Sequence, residues 1–98
     1  MGTYITLLNF TEQGARTIKD TVKRYEIAAK AGQEYGVKFK TVHWTLGQYD
    51  LVCEIEAKDE AGLAAFTLAM ASQGNVRFQT LRAFSADEMK GFIAKMPG

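Results

Sequence analysis

The sequence predicts one α+β domain, a four-stranded antiparallel sheet with helices on one face. Three observations predict it. Strand-like and helix-like patterns follow each other in the order β-α-β-β-α-β. The chain has 98 residues, room for one core and not two. Thr41 to Glu56 (TVHWTLGQYDLVCEIE) reads as two strands folded back on each other around Gly47-Gln48-Tyr49-Asp50, where glycine supplies the positive φ of a tight turn.

Thr3 to Phe10 (TYITLLNF) is β-branched, aromatic and aliphatic, and is predicted as the first strand. Both of its faces, Ile5-Leu7 and Tyr4-Thr6-Leu8-Phe10, are largely apolar, the mark of a central strand covered twice. Thr11 is placed to cap a helix, with Glu12 in its first turn. From Glu12 to about Tyr35, Ala15, Ile18, Val22, Tyr25 and Ala29 recur at helical spacing, so one continuous helix is expected, closed near Gly32 or Gly36.

In the hairpin, a two-residue loop at Gly47-Gln48 sets Leu46 opposite Tyr49, Trp44 opposite Leu51 and Val42 opposite Cys53, and a four-residue loop shifts the pairs but keeps the same side chains together. One face is then Val42, Trp44, Leu46, Tyr49, Leu51, Cys53 and Ile55. The other is Phe39, Thr41, His43, Thr45, Asp50, Val52, Glu54 and Glu56, which is mixed. Asp59 is expected to cap a second helix from Glu60 to about Gln73, closed by Gly74. Between Ala61 and Ala71 that helix has only Gly62 and Thr67 as non-apolar residues, so it is expected to be covered on both sides. Val76 to Phe84 is the last strand, with Val76, Phe78, Thr80, Arg82 and Phe84 on one face. Ser85 to Glu88 is a capping box that opens a short tail helix with Met89, Phe92, Ile93 and Met96 as its apolar stripe.

This order matches the ferredoxin-like split βαβ motif. Its helices cover one face of the sheet, yet the first strand is greasy on both. A second copy packed sheet to sheet is the expected cover, with the tail helix as the other candidate.

Composition narrows the function. The chain is 47% hydrophobic and 23% charged, with net charge +1, which gives no electrostatic case for nucleic acid or an anionic membrane. A single cysteine, Cys53, and the want of a membrane-spanning apolar run point to a cytoplasmic protein. One histidine and one cysteine offer no metal-ligand spacing, and no phosphate-cradling glycine loop is present, so no metal or cofactor is expected.

Thr45-Leu46-Gly47-Gln48-Tyr49-Asp50-Leu51-Val52 resembles the signature of the GYD domain family. Thr11 to Asp20 is similar to that family's first helix opening, Trp44 sits in the matching place before the turn, and Gly74 to Arg77 with Thr80 to Phe84 is similar to its last strand. The resemblance spans nearly the whole chain. It implies a bacterial or archaeal protein related in shape to the dimeric α+β barrels, among them cofactor-independent monooxygenases, muconolactone-isomerase-type enzymes and stress-responsive barrel proteins. It implies a fold and a pairing but no activity.

The candidate site residues are few. His43, the only histidine, shares a predicted face with Asp50 and Glu54, either of which could orient it as a base; the plain alternative is a surface histidine. Tyr49 and Asp50 could bind a substrate at the edge of a pocket, or serve the turn by satisfying loop N–H groups. Trp44, Phe66 and Met70, with Leu46 and Leu51, could line an apolar ligand pocket or simply be core. Arg82, on an otherwise apolar strand face, wants an anion, either an acid such as Asp50 or a ligand. Cys53 reads as an inert core thiol.

Two functions follow. The first is a homo-oligomeric binding or assembly module, a homodimer or larger, open to a small apolar or anionic ligand. The second is a cofactor-independent enzyme on a small substrate, aromatic ones included, with His43, Tyr49 and Asp50 as its catalytic groups.

Overall fold

The computed structural model describes residues 1–98. Strands β1 (Gly2–Phe10), β2 (Val37–Trp44), β3 (Leu51–Ala57) and β4 (Val76–Ala83) form one sheet in the order β2-β3-β1-β4, every neighbour antiparallel. β1 is central, as its two apolar faces require. The register pairs Trp44 with Leu51 and Val42 with Cys53, as the hairpin alternation predicts.

Two helical segments lie on one face. The first is broken. α1 (Glu12–Arg16) gives way to a 3₁₀ turn at Ile18–Asp20 before α2 (Thr21–Gly32) resumes. A 3₁₀ residue advances about 120° against about 100° in an α-helix, so three of them shift the phase by roughly 60°. The inward row on α2 is therefore Thr21, Tyr25, Ala28 and Gly32, while Ile18 and Val22 of the predicted stripe face outward. Gly14 of α1 allows a close approach: a Cβ there would lie 2.0 Å from the Asn75 carbonyl oxygen.

α3 (Glu60–Ser72) buries Leu63 and Phe66 against the sheet. Its other side is not covered within the chain: Leu68 is 71% exposed, and Ala61, Ala64, Ala65 and Ala71 are exposed too. The expected double cover is thus corrected, and the alanines explain the tolerance, since each leaves little apolar surface in water. The three predicted caps are in place, with Thr11, Asp59 and Ser85 accepting from the N–H groups of Gly14, Gly62 and Glu88.

The core lies between sheet and helices and comprises Leu8, Val37, Leu51, Cys53, Ile55, Ala57, Leu63 and Phe66. Phe39 belongs here, contrary to the simple alternation. A bulge at Lys40 shifts the register between Phe39 and Thr41, which turns Phe39 inward beside Tyr25 and Phe66. The opposite face carries Ile5, Leu7, Val52 and Leu81 at its centre, where Leu7 lies beside Val52 and Ile5 beside Leu81. Leu81 is 43% exposed. α4 (Ala86–Ala94) does not cover this face. None of its residues is buried, and its ties to the sheet run through Phe92 on Phe84 and Glu88 near Arg82.

Candidate functional site

The loop Thr45 to Asp50 is longer than either the two-residue or the four-residue turn expected. Strand pairing stops at Trp44 and Leu51, and Leu46 stands fully in solvent at 104% exposure. Gly47 takes φ 139°, and its departure from the strand ends the alternation of faces. The loop is fastened to β1. Asp50 N–H donates to the Leu8 carbonyl at 2.8 Å, the Phe10 N–H donates to Asp50 Oδ2 at 2.8 Å, and Asn9 Nδ2 donates to the Gln48 carbonyl at 2.8 Å. Thr45 closes the loop on itself through the Tyr49 and Asp50 carbonyls.

This geometry separates the residues named as catalytic. Asp50 spends its carboxylate on a backbone N–H. Tyr49 crosses to the open face of the sheet, where its hydroxyl donates to Gln79 Oε1 on β4 at 3.1 Å. Strict alternation through a two-residue turn predicts it on the core face with Trp44, and the longer loop is what frees it. His43 is exposed on β2, opposite Val52. The strands bearing His43 and Gln79 are three sheet spacings apart, about 14 Å. That distance is too long for one proton relay.

Trp44 is 39% exposed at the edge of the core; its ring meets Tyr25 edge to face and its Nε1–H donates to Thr21 Oγ1 at 3.0 Å. Arg82 is not paired with Asp50. Its guanidinium lies over the Phe84 ring (4.5 Å) and the Tyr4 ring (5.4 Å), donates to the Thr3 carbonyl at 3.0 Å and stands 3.8 Å from Glu88. The reason is register: Arg82 pairs with Tyr4 at the far end of β1 from Asp50. There it borders an open groove of about 560 Å³ with Leu63, Leu68 and Thr80.

Phe66 and Met70 are brought together, in the wall of a cavity of about 90 Å³ between the sheet and the helices. Leu8, Phe39, Leu51, Cys53 and Phe78 complete its apolar wall. Burial pushes the Cys53 thiol up from its ordinary value, against a smaller opposing effect of a hydrogen bond with Thr6. Thr21, Arg24, Gln73 and Asn75 are its polar, less buried members and mark its mouth. Arg24 is not legible as a site residue in the sequence, because the 3₁₀ break that aims it at the cavity has no clear sequence signal.

The molecule is thus an α+β domain with a ferredoxin-like sheet, a sheet face that its own helices leave uncovered, and a largely apolar cavity between sheet and helices. The model of the GYD domain family matches residues 4–93, and the chain belongs to that family. It is 33% identical over 90 residues to the glutamine synthetase and cystathionine beta-lyase binding protein of Thermus thermophilus, covering 91% of this chain and 95% of that protein. Among solved structures it is similar to the crystal structure of a Thermus thermophilus protein (TM-score 0.55, 26% identity, 88% and 96% of the two chains). It is also similar in fold to FFRP-DM1 (TM-score 0.60, 16% identity, 86% and 100%).

Proposed function

We propose that this chain is a non-catalytic binding module that works as a pair of copies joined through the free face of the sheet, and that the pair docks onto other proteins. The observation that carries the pairing is uncovered surface. The chain exposes 6792 Å², whereas a folded monomer of 10.9 kDa is expected to expose about 5,600 Å². The excess of roughly 1,200 Å² exceeds the ~800 Å² per partner of a standard interface. Part of it belongs to the projecting α4, and the radius of gyration, 15.2 Å against about 12.6 Å for a compact chain of this length, reflects the same projection. The remainder includes the Ile5, Leu7, Val52 and Leu81 patch.

The role that the Thermus relative is named for, binding two metabolic enzymes, supports a protein-docking reading of this chain. The scatter of His43, Tyr49 and Asp50 speaks against the enzymatic one. Leu7→Glu places a charge at the centre of the patch without entering the core. On size-exclusion chromatography the unaltered chain should elute as a pair and L7E as a single chain with unchanged circular dichroism. Equal elution of the two would contradict the pairing.

A further inference from the structure

We propose that the cavity beneath α2 and α3 is a binding site for a small monocarboxylate with a short branched apolar tail, its acid group held by Arg24. Two independent features meet there. The wall is mostly apolar, and apolar cavities bind apolar molecules of matching size. A cavity of about 150 Å³ accepts the six carbons of benzene, so 90 Å³ scales to a tail of about four. That excludes aromatic rings and long acyl chains, and favours a branched four-carbon group.

The second feature is an unneutralised cation at the mouth. The ion pairs of the chain involve Arg16, Lys40, Arg82 and Lys90. Arg24 instead donates to neutral oxygens: from Nη1 to the Thr17 carbonyl and Thr17 Oγ1, both at 2.8 Å, and from Nη2 to the Gly14 carbonyl at 3.2 Å. These bonds fix the guanidinium in place and leave its Nε–H and one Nη2 hydrogen free, the adjacent donors that a carboxylate accepts side by side. Thr21 and Asn75, also at the mouth, can turn further donors toward the same oxygens. A fixed cation over a largely apolar cavity selects acid over amide by charge, and tail by volume.

The inference goes beyond the pairing reading and does not need it, because every group named belongs to one chain. The test is titration of the ¹⁵N-labelled full chain with sodium isovalerate at constant ionic strength, with isovaleramide and acetate as controls. Isovalerate should give saturable shifts at the Arg24 Nε–H and at the amides of Tyr25, Ala28, Phe66 and Met70. Isovaleramide and acetate should bind at least about tenfold more weakly, the scale of a lost charge-assisted bond or a lost tail. Arg24→Lys should weaken isovalerate while keeping acid over amide, and Arg24→Met should abolish that preference. Ala28→Leu, which fills the tail space from α2, should remove binding and leave the folded spectrum. Equal affinity for acid and amide, no saturable response to isovalerate, or unchanged binding in Ala28→Leu would each overturn the proposal, whether or not the chain pairs.

Discussion

The Phe10 N–H lies past the last β1–β3 pair, Leu8 with Leu51, so the neighbouring strand leaves it without an acceptor. Asp50 supplies one with its side chain after its own backbone has bonded to Leu8. A half-buried N–H stripped of that partner costs about 1–3 kcal/mol. Asp50→Ala should lower unfolding stability by that amount in urea, and Asp50→Asn by less, since the amide oxygen still accepts. A far smaller loss in Asp50→Ala would show that water replaces the carboxylate. Cys53, 2% exposed with its thiol pushed up by burial, should react with iodoacetamide only as fast as the fold opens. The capping residues Thr11, Asp59 and Ser85 are legible in the sequence, because a side-chain oxygen before an apolar period has one local use. The partners of Arg82 and Tyr49 are not, because each reaches across strands to a residue that only the register brings near.

Elements are legible where one local pattern governs them. The four strands and the capping box of α4 follow from alternation and from Ser85 with Glu88. The broken first helix does not, because the apolar spacing runs on through the break and the bonds that span it, from Arg24 to the Thr17 and Gly14 carbonyls, join residues seven and ten apart. The bulge at Lys40 escapes for a similar reason: it lets Phe39 turn inward, and Lys40 pairs instead with Glu56 at 2.8 Å. Gly14→Ala should be severe, since backbone must move to admit the methyl group; overpacking of this kind costs about 1–3 kcal/mol, read as a lower melting temperature. The Glu88 carboxylate is held below its ordinary value of 4.5, chiefly by the Ser85 backbone N–H. A depressed carboxylate stabilises the fold above its unfolded value and loses that contribution as pH falls through the folded one. Helicity of α4, followed by its amide exchange, should therefore hold at neutral pH and fray below about pH 4.5, and Glu88→Gln should flatten that dependence.

At the scale of the whole molecule the layers are unequal. One side of the sheet is closed by two helical segments over Ile55, Val37 and Cys53, the largest fully buried side chains. The other leaves an aliphatic centre ringed by Glu54, Glu56, His43 and Gln79, an apolar middle with a polar rim as interfaces are built. The sequence shows that greasy second face through β1 alone, where Ile5 and Leu7 alternate with core residues. It cannot show the cavity, whose wall is drawn from every strand and both long helices. The most direct measurement of pairing is a filtered NOE experiment on a mixture of ¹³C-labelled and unlabelled copies. Contacts between the methyl groups of Ile5, Leu7, Val52 or Leu81 on one copy and the same patch on the other are predicted. A pair of copies whose intermolecular contacts all fall elsewhere, or a chain that sediments at 10.9 kDa across the concentrations used, would contradict the account.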